Sequence, residues 1–163
     1  MSYESAYRQL EEEGLADRVI LFESSTATVA LAAEQLGCEP DNIAKTMAFL
    51  AGEKPVMIVA AGLARIDNRL YKTRFGATAK MIHKEDLETL TGHQPGGICP
   101  FGLKPGVEVW LDESLKAFGD IVYPACGTAQ SAVRLTVSEL ERASRALGWV
   151  AVTKRPAAEM SAD

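Results

Sequence analysis

Between Thr91 and Gly102 the chain reads T-G-H-Q-P-G-G-I-C-P-F-G, with four glycines and two prolines in twelve residues. Glycine loses the most freedom when held in a regular element, and proline lacks the N–H that a helix interior or central strand needs. The stretch therefore folds as a loop whose backbone is shaped in advance. Gly96 and Gly97 present no side chain, so a ligand can approach their peptide N–H groups, while Pro95 and Pro100 limit how far the loop flexes. Amide donors fixed around a concavity suit a carbonyl oxygen, a developing oxyanion or a phosphate. The same composition also serves plain turns, so the loop takes its meaning from the chain around it.

With 163 residues, 47% of them hydrophobic and 24% charged, the chain suits one domain with a real core. The start, M-S-Y-E-S-A-Y-R-Q-L-E-E-E, lacks a basic segment followed by an apolar run, and the most apolar stretch, 55–64, is too short to span a bilayer. A soluble, cytoplasmic protein with no membrane partner is expected. Cys38, Cys99 and Cys126 have spacings that fit neither a disulfide framework nor a paired metal motif, and His83 and His93 are too few for a zinc site. No metal or cofactor is expected. A net charge of −5 argues against unselective nucleic-acid binding. Yet residues 65–84 carry Arg65, Arg69, Lys72, Arg74, Lys80 and Lys84 against Asp67 alone, a strip that reads either as a solvated helix face or as a seat for a polyanion.

Tyr3, Tyr7 and Leu10 recur at helical spacing and predict a helix over 3–13. Residues 19–22 read as a short strand. The run S-S-T-A-T-V-A-L-A-A-E-Q-L-G predicts a helix with Thr28 or Thr26 as N-cap and Gly37 as its stop. Residues 43–50 and 55–61 flank a Gly52-Glu53 turn and predict a hairpin whose second strand is core. Asp67 is placed to cap a helix reaching Phe75, closed by Gly76. A strand over 79–82 and a helix over 84–90 deliver the chain to the glycine loop. Beyond it the pattern predicts strands over 107–111, 120–123 and 132–135, a helical turn over 112–117, and a helix over 137–147 stopped by Gly148. An edge strand over 149–152 follows. The reading is one α+β domain over 1–152, built on a mixed, mostly antiparallel sheet with flanking helices, and a disordered tail over 153–163.

Four short segments then stand in a telling order: I-A-K-T at 43–46, R-I-D-N at 65–68, the glycine loop, and Y-P-A-C-G-T at 123–128. With them the chain resembles the YbaK / prolyl-tRNA synthetase associated domain family, free-standing relatives of the editing domain inserted in bacterial prolyl-tRNA synthetases. The resemblance runs from about residue 28 to 140. It implies the α+β editing fold and hydrolysis, without a metal, of the ester joining a wrong amino acid to the 3′ end of a tRNA, most often tRNA for proline. The implied partner is the aminoacyl-tRNA 3′ end, with prolyl-tRNA synthetase as a second candidate; oligomeric state stays open.

Carried over by position, Lys45 falls on the family's functional lysine, Gly96, Gly97 and Pro100 fall on its glycine loop, and Gly127 matches a second glycine turn facing the first. The resemblance thus implies Lys45, Gly96 and Gly97 as catalytic, with Thr28, Asp67, His93, Pro100 and Gly127 binding substrate. In some relatives a carboxylate or histidine follows the second turn. Here T-A-Q-S-A follows, with Ala132 where one subgroup has an acid. No side-chain base is therefore expected from that segment, and the amino acid removed stays open. Ester hydrolysis needs a positioned water, a proton acceptor, and donors where charge gathers on the carbonyl oxygen. Backbone amides at Gly96 and Gly97 and a cationic Lys45 meet the last need; the vicinal hydroxyl of the terminal ribose is left as acceptor. The competing reading is a noncatalytic module that holds a tRNA end or a protein partner.

Overall fold

The computed structural model describes residues 2–155. In chain order its regular elements are α1 (Ser2–Glu12), β1 (Val19–Leu21), α2 (Val29–Leu36), β2 (Ala44–Ala51), β3 (Lys54–Ala61), β4 (Arg65–Ile66), α3 (Asn68–Phe75) and α4 (Leu87–Thr91). There follow β5 (Glu108–Asp112), β6 (Ile121–Val122), β7 (Ser131–Val133), β8 (Leu135–Thr136), α5 (Val137–Ser144), β9 (Gly148–Val150) and β10 (Thr153–Lys154).

The main sheet has strand order β2-β3-β5-β9, antiparallel between β2 and β3 and parallel across the other two seams. β3 is buried from Val56 to Ala61 because it has a strand on each side and packed layers on both faces, which is why its sequence is a continuous apolar run. Three two-stranded ladders, β1 with β7, β4 with β10 and β6 with β8, are antiparallel and brace the sheet's surroundings. This is the α+β architecture expected; antiparallel pairs are in the majority once the three small ladders are counted, although two of the main sheet's three seams are parallel.

Side chains alternate across β2 and sort the layers. Ala44 and Ala48 face the larger core, with Met57, Val59, Cys99, Phe101 and Leu140. Phe49 faces the opposite cluster, where Tyr71 of α3 stacks against it at a ring separation of 5.2 Å and Phe75 against Tyr71 at 4.8 Å. α2 forms a third layer, its Ala32 and Ala33 packed on Ile43 at the start of β2.

Several local features depart from the pattern-based expectation. The strand expected over 79–82 is reduced to one bridge, Met81 to Phe49, since only the Leu50 N–H to Lys80 carbonyl and Ile82 N–H to Ala48 carbonyl bonds form along the edge of β2. The helix expected over 84–90 begins as a tight turn at Lys84–Asp86 before α4. α5 stops at Ser144 because Arg145, not Gly148, takes the left-handed conformation at φ 56°. Gly148 instead lies in β9, where a Cβ would stand 3.2 Å from the Trp110 ring. Ordered chain continues past Val152 into β10, and residues 156–163 of the expected tail lie outside the described residues.

Asp112, 1% exposed, locks the far end of the sheet. Its Oδ1 accepts the Val152 N–H at 2.9 Å, and its Oδ2 accepts the Ser114 N–H at 3.0 Å and the Thr153 hydroxyl at 2.6 Å. Removing the carboxylate strands three donors at once, one of them, the Val152 N–H, in a fully buried bond. Asp112→Ala is expected to lower unfolding free energy by about 2–4 kcal/mol in urea titration, and a loss below about 0.5 kcal/mol would contradict this role.

Candidate active site

A cavity of about 240 Å³ opens between the start of α2, the outer edge of β2, the tip of the glycine loop and the 123–132 segment. That volume equals about eight water molecules at ~30 Å³ each, enough for a small acyl group and its attacking water. Thr28, Lys45 and Gly96 all line it.

Each of the three is held there by its local structure. Thr28 is the N-cap of α2, its Oγ1 accepting the Leu31 N–H at 3.1 Å. Lys45 projects from β2, half-buried, and its Nζ donates to the carbonyl of Ala64. Burial, and then the neighbouring Arg65 guanidinium, hold its pKa below the ordinary lysine range, while Asp41 opposes them. Gly96 turns the exposed loop tip at φ 88°, a left-handed conformation that favours glycine, and a Cβ there would touch Ala27 and Ala129. Among the described residues no backbone carbonyl accepts its N–H.

The other five expected site residues do not line the cavity. Gly97 donates its N–H to the Gln94 carbonyl at 3.1 Å, closing the loop upon itself. A Cβ on Gly97 would lie 2.8 Å from the Gly127 carbonyl carbon, so the two glycine turns meet backbone to backbone. Gly127 is packed on its other side by α1: the Ser2 hydroxyl donates to its carbonyl at 2.6 Å, and a Cβ would stand 2.3 Å from the Ser2 carbonyl oxygen. Pro100 is buried beneath the loop. Asp67 caps α3, accepting the Leu70 N–H at 3.0 Å.

His93 is fully buried, its Nε2 2.6 Å from the Phe101 carbonyl and 3.5 Å from the Cys99 sulfur, with no partner for Nδ1. The short contact to a carbonyl makes Nε2 the protonated nitrogen of a neutral ring. Burial pushes the Cys99 thiol up strongly and the Cys126 thiol up to about 12, so both stay protonated and unreactive.

The sequence places the helix start at 26–31 and the strand bearing Lys45 at the pocket wall, but two details of how they build it have no counterpart there. Thr26 staples the chain before α2 to the 128–131 turn: its N–H donates to the Ala129 carbonyl at 2.6 Å, and its Oγ1 accepts the Ser131 N–H at 3.0 Å. Thr46, beside Lys45, marks a gap in the outer edge of β2. The Ala44 N–H donates outward to the Tyr123 carbonyl at 3.1 Å, Ala48 accepts from the Ile82 N–H at 3.0 Å, and Leu50 donates to Lys80 at 2.8 Å. By the two-residue alternation of a strand, the N–H and C=O of Thr46 also point outward. Among the described residues they meet no partner, and the Thr46 hydroxyl has none either. A composition signal for Thr26 existed in its place near a helix start; none exists for an interrupted strand edge.

The model of the aminoacyl-tRNA editing domain matches residues 23–143, which takes in every wall of this cavity. The chain belongs to that family. YwhH of Bacillus subtilis is 42% identical over 155 residues, 94% of this chain and 98% of that protein. EbsC of Enterococcus faecalis, a candidate Cys-tRNA(Pro)/Cys-tRNA(Cys) deacylase by name, is 33% identical over 95 residues, 57% of this chain and 58% of its own. A proline–tRNA ligase of Limosilactobacillus fermentum is 37% identical over 95 residues, which are 55% of this chain but 17% of the ligase. Among solved structures, one described as a candidate trans-editing enzyme for prolyl tRNA synthetase superposes with a TM-score of 0.83 at 27% identity, covering 95% of this editing domain and 98% of that chain.

Burial also sets a pH dependence for the glycine loop of this editing domain. It lowers the His93 pKa below the ordinary 6.5, partly offset by the bond to Phe101. The unfolded chain therefore binds the proton first, and the contribution of His93 is whole above about pH 6.5 and lost as pH falls toward the lower folded value. Unfolding free energy measured from pH 7 to 5 is expected to fall more steeply for the native chain than for His93→Gln, by up to about 1.4 kcal/mol per pH unit. Parallel profiles would contradict it.

Proposed function

We propose that this editing domain is a free-standing deacylase that hydrolyses the ester of a mischarged tRNA. The observation that carries the reading is that Lys45 and the unbonded amide of Gly96 line one small cavity. A cation and a fixed peptide donor lining one cavity suit an acyl group at a nucleic-acid terminus, and the lining residues include no carboxylate, imidazole or thiol. Relatives named for acting on tRNA for proline make that tRNA the first candidate, and prolyl-tRNA synthetase a candidate partner, in the cytoplasm.

In the proposed reaction the carbonyl oxygen of the acyl group faces the Gly96 N–H, and the terminal nucleotide lies toward Lys45. Water attacks the carbonyl carbon and passes a proton to the vicinal hydroxyl of the terminal ribose, as charge collects on the oxygen held by Gly96. The tetrahedral intermediate collapses, the bond between carbonyl carbon and ribose oxygen breaks, and that oxygen takes up the proton. Free amino acid and uncharged tRNA leave. The cavity volume limits the acyl side chain to a small one; apolar walls such as Val29, Ala32 and Ala125 discriminate one methylene only by roughly ten- to two-hundredfold.

Surface charge supports a polyanionic substrate. Arg18, Arg142 and Arg145, around α1 and α5, are each paired with a carboxylate. Arg65, Arg69 and Lys72 are exposed, and among the described residues none forms an ion pair. Arg65 adjoins Lys45, so this positive charge, offset in part by Asp67, begins at the cavity and continues along α3. It offers the phosphates of the tRNA end a cationic approach.

The test is amino-acid release from a panel of mischarged tRNAs. Small non-cognate residues are expected to be released. Lys45→Ala is expected to slow release by roughly a hundredfold or more, and a tRNA ending in 2′-deoxyadenosine to be cleaved slower by a similar factor. Binding of the tRNA without release of any amino acid would favour a noncatalytic module, and equal rates for the 2′-deoxy substrate would remove the ribose hydroxyl from the mechanism.

A further inference from the structure

We infer that the aminoacyl group binds by filling the gap in the outer edge of β2, pairing with Thr46 as a strand one residue long. The α-ammonium donates to the Thr46 carbonyl, and the ester carbonyl accepts the Thr46 N–H. This rests on the deacylase reading and adds to it a site for the part of the substrate that all aminoacyl esters share.

The register of β2 supplies the geometry. Along this edge the Ala44 N–H, the Ala48 C=O and the Leu50 N–H each find a partner away from β3, while the Ala44 C=O and the Ala48 N–H, which flank the gap, meet none among the described residues. Thr46 lies in the same series, between the Tyr123 bridge at one end and the Met81 bridge at the other, and it lines the cavity. A backbone donor and acceptor on one residue, pointing the same way into the cavity, are left to water or a ligand. Something with a matching acceptor and donor one Cα apart fits there. An aminoacyl ester has that arrangement: an ammonium, a Cα and a carbonyl. Thr46 is the residue of this segment with both groups open, and antiparallel pairing of the hydrogen-bonded kind lets it exchange both bonds with one partner, so the proposed substrate runs antiparallel to β2.

Direction in turn fixes handedness. Residues directly opposed in antiparallel strands place their side chains on the same face. Thr46 shares its face with Ala44 and Ala48, toward the larger core, and on that side the cavity is lined by Ile98 and Ala125, which pack against the same core. An L-amino acid paired with Thr46 sends its side chain there. Its D-enantiomer, held by the same two bonds, sends it to the other face, where Lys45 projects. The edge therefore selects L-aminoacyl esters whatever the side chain, while the Ile98 and Ala125 wall limits size.

Proline tests the donor directly. At an edge position whose N–H points away from the neighbouring strand it is tolerated, since no ladder bond is lost. Thr46→Val measures what the hydroxyl contributes and keeps the amide; Thr46→Pro removes the amide as well. Deacylation by Thr46→Pro is expected to fall about a hundredfold below that of Thr46→Val, with melting temperatures of the two variants compared as a check on folding. Equal rates for the two folded variants overturn the proposal. The native protein gives a second readout that needs no variant: for the amino acid released fastest in the mischarged panel, the L-ester is expected to be hydrolysed at least tenfold faster than the D-ester on the same tRNA. Equal rates for the two enantiomers overturn the proposal and leave the deacylase reading standing. A native protein that releases no amino acid at all overturns both.

Discussion

The contact on which the site depends is made without side chains. Gly97 and Gly127 bring two turns together so closely that a single added carbon at Gly97 would fall 2.8 Å from the facing carbonyl. Gly127 is in turn pressed onto the first residues of α1, with the Ser2 hydroxyl bonded to its carbonyl. Three backbone layers are thereby stacked at distances that no other residue type permits. Buried thiols and a buried neutral imidazole fill the space behind them: Cys99, Cys126 and His93 behave as packing groups that also satisfy nearby backbone atoms. With that base immobile, the next residue along the loop, Gly96, is held out over the cavity with its amide unspent. Rigidity in one glycine is what makes the other useful.

The β2 wall uses a different device. β2 is an edge strand whose ends are covered, by Tyr123 near Ala44 and by Lys80 to Ile82 near Ala48 and Leu50, while its middle is left open. Covering an edge prevents unwanted strand pairing, and leaving the stretch around Thr46 bare beside a cavity turns the same backbone chemistry to recognition. Lys45 stands beside that opening, on the other face of the strand, and its bond to the Ala64 carbonyl aims it along the path from the cavity to the basic start of α3. The cavity thus has a neutral, backbone-lined end suited to an acyl group and a cationic end suited to a phosphate.

Much of this was legible in the residues because local physics leaves few options. Gly37 and Gly76 close their helices at φ 68° and 78°, where a glycine is preferred, and Thr28 and Asp67 cap helices as side chains of their type do. The hairpin and its apolar second strand follow from period and composition alone. The order of short motifs carried the family, and with it Lys45 and Gly96. What stayed hidden is whatever depends on contacts far apart in the chain. Gly96 and Gly97 are chemically identical, and only the approach of Gly127 decides which faces the cavity. His93 is equally plausible from sequence as a ligand contact or a buried strut; the carbonyl of Phe101 makes it the strut. Thr46 reads as an ordinary strand residue until the pairing on both sides of it is known. Asp67 and Pro100 belong to motifs that mark the family, yet one caps a helix and the other underlies a loop.

The central claim is that a single acyl group is held between the amide of Gly96 and the edge of β2, with the nucleotide toward Lys45. A crystal structure with an amide-linked 3′-aminoacyl adenosine, which keeps the shape of the ester but resists hydrolysis, tests it most directly. The account predicts the acyl carbonyl oxygen about 2.7–3.1 Å from the Gly96 nitrogen and the ribose on the Lys45 side of the cavity. An acyl group seated outside this cavity, or a carbonyl turned away from Gly96 with the ribose remote from Lys45, would contradict it.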